Sequence, residues 1–375
     1  MKLVILKNNL KNGLDTIGRA VGSSTGTLPI IGNVLIKTVD NKILLSATNL
    51  EVGMIFGVMG KINEAGGITV PYTVFSGVIN NLVSERINLE SNDKSLVIKT
   101  DNYEATIQGI SENEFPIIPK LKSDKSLTIN KIALKDALSK TTIAAGRNDL
   151  RPEINGVLLI IEPKIIKVVA TDSFRLSESK IEKNQFKTKG VESAKIIIPL
   201  KTAEIVAKSL KDGGEEDVYI GLDENQAVFR SDGLEIVSRL IDGKFPDYEA
   251  IIPQEALTEA ILSREELGNA LKLANSFAAK IKDVKITTAG KTAIEIYSSD
   301  TSLGENKCLI PAKINGSEAE IVFNLSYLLD GVKIENSEDV YLGLNGPSRP
   351  AIIKTPKSNS HVYIIMPVKS ATAGE

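Results

Sequence analysis

One cysteine, one histidine and no tryptophan in 375 residues leave this sequence short of the side chains that most reaction chemistry uses. Cys308, standing alone, excludes an internal disulfide and any zinc site built on several cysteines, and it reads as a small buried apolar residue. His361, in a strand-like run near the C-terminus, excludes a histidine-rich metal site. A Ser–His–Asp arrangement would have to use it, and no nucleophile motif accompanies it. Long apolar runs are missing too, because charges interrupt every stretch that approaches the roughly 18 residues of a membrane span. Met1–Lys7 lacks the apolar core and cleavage site of a signal peptide and reads as a strand. Gly290-Lys291-Thr292 resembles the end of a phosphate loop, but Lys285 stands where that loop needs its first glycine, and β-like runs flank the triplet. It reads as a turn. The expectation is a cytoplasmic, non-enzymatic protein with no cofactor and no metal.

What is present is a pattern stated three times. Each copy opens with a helix-like segment, at Asn8 to Val21, Asn130 to Arg147 and Ser263 to Lys282. A strand pair follows: Asn33 to Ile36 with Ile43 to Ala47, Asn155 to Ile160 with Ile165 to Ala170, and Val284 to Thr287 with Ala293 to Tyr297. The pair ends at a corner, Ala47-Thr48-Asn49, Ala170-Thr171-Asp172 or Ser298-Ser299-Asp300. A second helix then opens at Val70-Pro71-Tyr72, Ile198-Pro199-Leu200 and Phe323-Asn324-Leu325, where proline suits a first turn and asparagine a cap. Further strands close each copy within Ser95 to Ile107, Gln226 to Leu240 and Ala351 to Met366. Proline-marked segments, Glu114 to Pro119 and Lys244 to Pro253, separate the copies. A period above 100 residues means repeated domains rather than a solenoid. The class is therefore α+β, three repeated domains over 1–120, 121–253 and 254–375, each with two helices and largely antiparallel sheets.

Charge is unevenly placed. The chain carries a net −2, yet the first helices sum to +1, +3 and +2, and the second helices (Pro71 to Val83, Pro199 to Lys211, Asn324 to Lys333) to 0, +2 and 0. An acidic protein that concentrates positive charge on its helices points them at a polyanion, although lysines also simply solvate helix surfaces.

The residues also carry a family resemblance over essentially the full length. Its marks are Leu28-Pro29-Ile30-Ile31-Gly32-Asn33, Arg151 with Asn155-Gly156-Val157-Leu158, and Ala170-Thr171-Asp172 with Arg175-Leu176. To these add Asp242-Gly243-Lys244-Phe245-Pro246-Asp247-Tyr248, Phe323-Asn324 with Tyr327-Leu328, and Met366-Pro367. In this order and spacing the chain resembles the bacterial DNA sliding clamps, the beta subunits of DNA polymerase III. The resemblance implies the DNA clamp fold and a ring-shaped head-to-tail homodimer that encircles duplex DNA as a processivity factor. It implies as partners the DNA polymerase III catalytic subunit, a clamp loader that supplies the ATP chemistry, and other proteins with a clamp-binding motif. DNA-facing residues by resemblance are Lys11, Arg147, Asn148, Lys201, Lys280 and Lys282. A partner-peptide pocket would be walled by Ile154, Thr171, Ser173, Phe174, Arg175, Leu176, Pro246 and Ile251. Ile364, Met366, Pro367 and Val368 would complete it.

This chain departs from the family pattern in four places. Ser173-Phe174 replaces the usual Gly-His, and Ala250 replaces an arginine. Ser24-Thr25-Gly26 stands where an arginine often precedes Leu-Pro, which removes one expected DNA contact. The chain also continues past Met-Pro through Lys369 to Glu375. Two other classes compete: a monomeric peptide-docking protein indifferent to DNA, and a hydrolase using carboxylates such as Asp172 and Asp242, which lack a histidine partner. The exchange at 174 implies a greasier pocket with a different peptide preference. Phe174→His is expected to shift the affinity for a standard clamp-binding peptide by about fivefold or more, read by fluorescence anisotropy; an unchanged affinity would remove that idea.

Overall fold

The computed structural model describes residues 1–23, 28–92, 94–147, 150–214, 216–278 and 282–368. Among them are six α-helices: α1 (Lys7–Ile17), α2 (Tyr72–Asn81), α3 (Lys131–Thr141), α4 (Leu200–Ser209), α5 (Arg264–Asn275) and α6 (Leu325–Lys333). Each starts directly at the end of a strand, so the period changes from two to 3.6 without a loop. In α1, Leu10, Leu14 and Ile17 fall on one face and are buried. Ser263 caps α5 by accepting from the Glu266 N–H, and Asn324 caps α6 by accepting from that of Tyr327. Acidic Glu265 and Glu266 in the first turn of α5 and Lys272 in its last agree with the helix dipole. The helices are two to eight residues shorter than the apolar spacing suggests. The ends of α1 and α3 tighten into 3-10 turns at Gly18–Ala20 and Thr142–Ala144.

The chain divides into two compact units, residues 1–135, 184–192 and 204–240, and residues 136–183, 193–203 and 241–375. In the first, α1 packs beside α2. Its strands form a five-stranded antiparallel sheet ending on Glu104–Gln108 and a nine-stranded one. The larger sheet joins residues of two sequence copies, because Leu234–Arg239 pairs antiparallel with Val52–Val58. In the second unit α5 packs beside α6, and twelve strands run in one order from Ala194–Pro199 to Glu320–Asn324. Here the copies meet where Arg175–Glu182 pairs antiparallel with His361–Ile365. Leu267, Leu271, Phe323, Leu328 and Tyr363 fill the core of this unit. A second cluster holds Leu158, Leu176, Tyr248, Ile352 and Ile364.

The three corners share one chemistry. Asn49 Oδ1 accepts from the N–H groups of Glu51 and Val52, Asp172 Oδ1 from those of Phe174 and Arg175, and Asp300 Oδ1 from those of Ser302 and Leu303. A short acceptor side chain closes its own turn in each copy. The third corner lies later than its sequence suggests: Ala293–Asp300 stays a strand and the turn follows it. Gly290-Lys291-Thr292 is a turn, with Gly290 at φ 66°. Cys308 is half-buried rather than buried, because it lies on a strand with an open edge.

Two further expectations change. Lys131 is 4% exposed, and its ammonium bonds to the Gly213 carbonyl and to Asp232 at 2.9 Å. Lys135 pairs with Asp212 and Lys140 with Asp136. Much of the +3 of this segment is therefore neutralised within the fold and is not a free positive surface.

The single histidine is structural. His361 Nδ1 lies 2.6 Å from Glu335 Oε1, its Nε2 lies 2.9 Å from Ser177 Oγ, and Ser177 Oγ donates to the Lys140 carbonyl. Thr355 donates to the second oxygen of Glu335. All three members, Ser177, His361 and Glu335, are buried, which gives them the connectivity of a hydrolytic triad without access for a substrate. Burial pushes the Glu335 carboxyl up, but His361 and Thr355 outweigh it and hold the pKa below its ordinary 4.5. A carboxyl lowered on folding stabilises the fold above its unfolded pKa and loses that contribution as pH falls through the folded value. Glu335→Ala is expected to cost about 3 kcal/mol in urea denaturation at pH 7. Glu335→Gln should flatten the loss of stability that the parent protein shows below pH 4.5.

Candidate functional site

The pocket residues are organised by the corner at Asp172. Thr171 ends the strand Ile165–Thr171, donates its hydroxyl to the Arg175 carbonyl at 2.7 Å and accepts from the Ser173 N–H. Ser173 takes φ 78°, a left-handed conformation that favours glycine, and Arg151 Nη1 donates to its hydroxyl at 3.0 Å. This turn throws Phe174 outward, 60% exposed. The next residues pair with the C-terminal strand, Arg175 opposite Ile365 and Leu176 opposite Ile364, and the Met366 N–H extends the ladder to the Phe174 carbonyl. Gly146 brings Ile154 to the same place, since its N–H faces the carbonyls of both Ile154 and Thr171.

Strand alternation sorts these side chains. Leu176 and Ile364 face one side and pack with Tyr248; Arg175 and Tyr363 face the other. Leu176, Ile364 and Ile154 are at most 4% exposed, so they back the pocket as its floor rather than stand as its wall. The surface open to solvent is Phe174 and Ile251, with Pro246, Met366, Pro367 and Val368 half-buried. Buried Tyr248, stacked edge-on against Phe245 and bonded to Glu178 Oε2 at 2.7 Å, carries the neighbouring Pro246 and Ile251 to this edge. The Val368 N–H is fixed to the Val322 carbonyl.

Arg175 does not stand free as a guide for a ligand. Its Nε donates to Asp172 at 2.9 Å, its Nη1 to Asp330 at 2.7 Å, and its guanidinium lies 4.2 Å above the Tyr327 ring. Burial works against its charge, but Tyr363, Asp330 and Asp172 more than offset it and raise its pKa. Tyr363, in turn, donates to the Tyr327 carbonyl. The sequence reading missed Asp330, Tyr363 and Arg151, and took Tyr327 only as a family mark. The available signal was the i, i+3 spacing of Tyr327 and Asp330, which puts both on one face of α6.

Of the six basic or polar residues expected to face DNA, Lys11, Arg147, Lys201 and Lys282 are exposed. Lys282, at φ 54°, accepts the first N–H of α6 on its carbonyl. Asn148 and Lys280 lie outside the described residues, as do Ser24-Thr25-Gly26 and Lys369 to Glu375.

Family-level sequence models of the DNA polymerase III beta subunit match three consecutive stretches: its N-terminal domain over residues 1–119, its central domain over 128–247 and its C-terminal domain over 249–369. The chain belongs to the DNA polymerase III beta subunit family. The beta sliding clamp of Bacillus subtilis is 26% identical, with 99% of this chain and 100% of that protein covered. That of Synechococcus elongatus is 27% identical, with 98% and 99% covered. Among solved structures, a Bacillus subtilis DNA polymerase sliding clamp matches with a TM-score of 0.91 at 27% identity, covering 99% of both chains. A Eubacterium rectale putative DNA polymerase III beta subunit matches with a TM-score of 0.90 at 26% identity, covering 99% of this chain and all of that one. In this member of the family the candidate pocket draws on two matched stretches, the central one for Ile154 to Leu176 and Pro246, the C-terminal one for Ile251 and Ile364 to Val368.

The arginine cluster is testable without any ligand. Asp330→Ala is expected to lower the unfolding free energy by about 2 kcal/mol in urea denaturation. Arg175→Lys should not restore the parent stability, because an ammonium cannot fork to two carboxylates while lying flat on Tyr327.

Proposed function

We infer that the chain is a sliding clamp, a non-catalytic processivity factor that encircles duplex DNA and tethers the replicative polymerase. Family membership and the relatives named beta sliding clamp support this reading. The observation that carries it is a pair of unmatched strand edges. In the first unit Val52–Val58 is paired on both sides, by Lys42–Thr48 and Leu234–Arg239. In the second, Arg175–Glu182 is likewise paired by Ile165–Thr171 and His361–Ile365. The corresponding strand of the third copy, Gly304–Gly316, pairs over its first half with Ala293–Asp300 alone among the described residues. Glu104–Gln108, the counterpart of Leu234–Arg239 and His361–Ile365, pairs with Ser95–Lys99 alone. Each edge lacks the partner that the other two copies possess.

The two edges complete one another if Gly304–Ile310 of one chain pairs with Glu104–Gln108 of a second. Two such head-to-tail seams close a two-chain ring of six domains, with boundaries at 1–120, 121–253 and 254–375. Leu303 and Leu309 are exposed beside one edge and Tyr103 and Ile110 beside the other, and Asn306 Nδ2 is buried without a partner. An open strand edge flanked by apolar side chains is a surface that association covers.

Lys11, Arg147, Asn148, Lys201, Lys280 and Lys282 are the proposed phosphate-facing groups. Their modest charge suits a ring that slides and reads no sequence. The pocket at Phe174 and Met366 takes the peptide of the polymerase catalytic subunit, of the clamp loader and of other motif-bearing proteins. A cytoplasmic location belongs to the same reading.

The test is topological. Loaded onto nicked circular DNA by its cognate loader and ATP, the protein is expected to stay on the circle at moderately high salt and to leave once the circle is linearised. Equal loss from both forms would falsify the clamp reading. In sedimentation the 40.4 kDa chain should run at twice that mass, and Leu309→Asp should shift it to one chain with little change in thermal stability.

A further inference from the structure

A cleft of about 1060 Å³ opens in the second unit beneath the segment Ile252–Leu257. Its floor is the sheet face carrying Glu178, Lys180, Ile352, Val362 and Tyr341. The segment crosses it as a strap tied at both ends: the Ile252 N–H donates to the Glu249 carbonyl and the Leu257 N–H to Asn345 Oδ1.

The first unit contains the same junction in closed form. Ile117-Ile118-Pro119 matches Ile251-Ile252-Pro253, and Asp217–Leu222 (DVYIGL) matches Asp339–Leu344 (DVYLGL). There Leu121 packs so tightly on Gly221 that a Cβ added to this glycine would collide with it, and Ile118 fills the space over Gly53. In the second unit the strap is one residue longer after its proline, and the residue reaching the matching Gly343 is Ala256, whose Cβ stands 3.0 Å from where a side chain on that glycine would begin. A leucine plug has become an alanine on a longer strap, and the space stays open.

The charges of the cleft are unevenly spent. Glu178 is bonded to Tyr248 and paired with Lys180 at 3.5 Å, Glu249 is paired with Lys167 at 2.6 Å, and Glu259 accepts from Tyr341. Lys354 lies over the Tyr341 ring and donates to Asn359, and neither it nor Lys357 has a carboxylate partner among the described residues. Against these two ammonium groups stands one unpaired carboxylate, Glu255. The cleft also continues the candidate pocket. One residue pair, about 7 Å, along the same strand face separates Leu176 from Glu178 and Ile364 from Val362.

We propose that this cleft is a second docking site for the same partner: it takes an extended, acidic and aliphatic segment flanking the peptide that occupies the Phe174–Met366 pocket. The proposal rests on the pocket reading, and linking the two contacts raises affinity through effective concentration without strengthening either. The probe is a fluorescein-labelled synthetic peptide carrying the pocket-binding segment of the cognate polymerase, alone or extended at either end by alternating Glu and Leu. One extended form is expected to bind the full-length protein about tenfold more tightly than the core peptide. Lys354→Glu with Lys357→Glu, and separately Ala256→Leu, should abolish that gain while leaving the core affinity unchanged. No gain for either extension, or a gain that survives both variants, would overturn the cleft. A core peptide that does not bind at all would instead overturn the pocket. Circular dichroism melts of the variants keep a folding defect from counting as support.

Discussion

An unpaired strand edge is a row of amide and carbonyl groups that must bond to something, and this requirement organises the whole protein. Neither sheet that joins two copies is completed by its own copy. Val52–Val58 reaches across the sequence to Leu234–Arg239, and Arg175–Glu182 reaches to His361–Ile365. That is why three repeats in the sequence appear as two compact units in space: the cut falls through the middle of the central repeat, along α3 and α4, because each half of it is sheet-bonded to a different neighbour. The same rule, applied to the two ends of the chain, leaves one edge over at each.

The candidate pocket is a by-product of one of these joints. Its apolar floor comes from pairing Leu176 with Ile364, and its rim from the turn that must precede such a strand. On the opposite face of the same two strands, Arg175 and Tyr363 engage Tyr327 and Asp330 of α6. Binding surface and structural anchor are thus consecutive residues facing opposite ways. A one-residue slip of the C-terminal strand would exchange them, so burial on both faces holds the register.

Repeats were legible in the sequence because their signals are local. Apolar spacing, proline before a helix and an Asn or Asp at a corner each act within a few residues, and all six helices and the Asx chemistry of Asn49, Asp172 and Asp300 followed from them. What was not legible depends on partners far away in the chain. Lys131 reads as a surface cation until Asp232 is placed beside it, and His361 reads as an ordinary strand residue until Glu335 and Ser177 converge on it. Arg175 reads as a ligand-facing guide, and only α6 shows that its donors are already engaged. The third corner was misplaced because Asp300 pairs with Gly304 and the strand runs on to meet it.

The joint between Arg175–Glu182 and His361–Ile365 also fixes when the protein acquires its docking surface. Ser177 and His361 are 184 residues apart in the chain. During synthesis the earlier strand leaves the ribosome long before the later one exists, and contacts of such separation form late in folding. A nascent chain therefore has no floor between Leu176 and Ile364 to offer. Partners that read this pocket see finished molecules only, and a truncated product lacking its last strand is invisible to them.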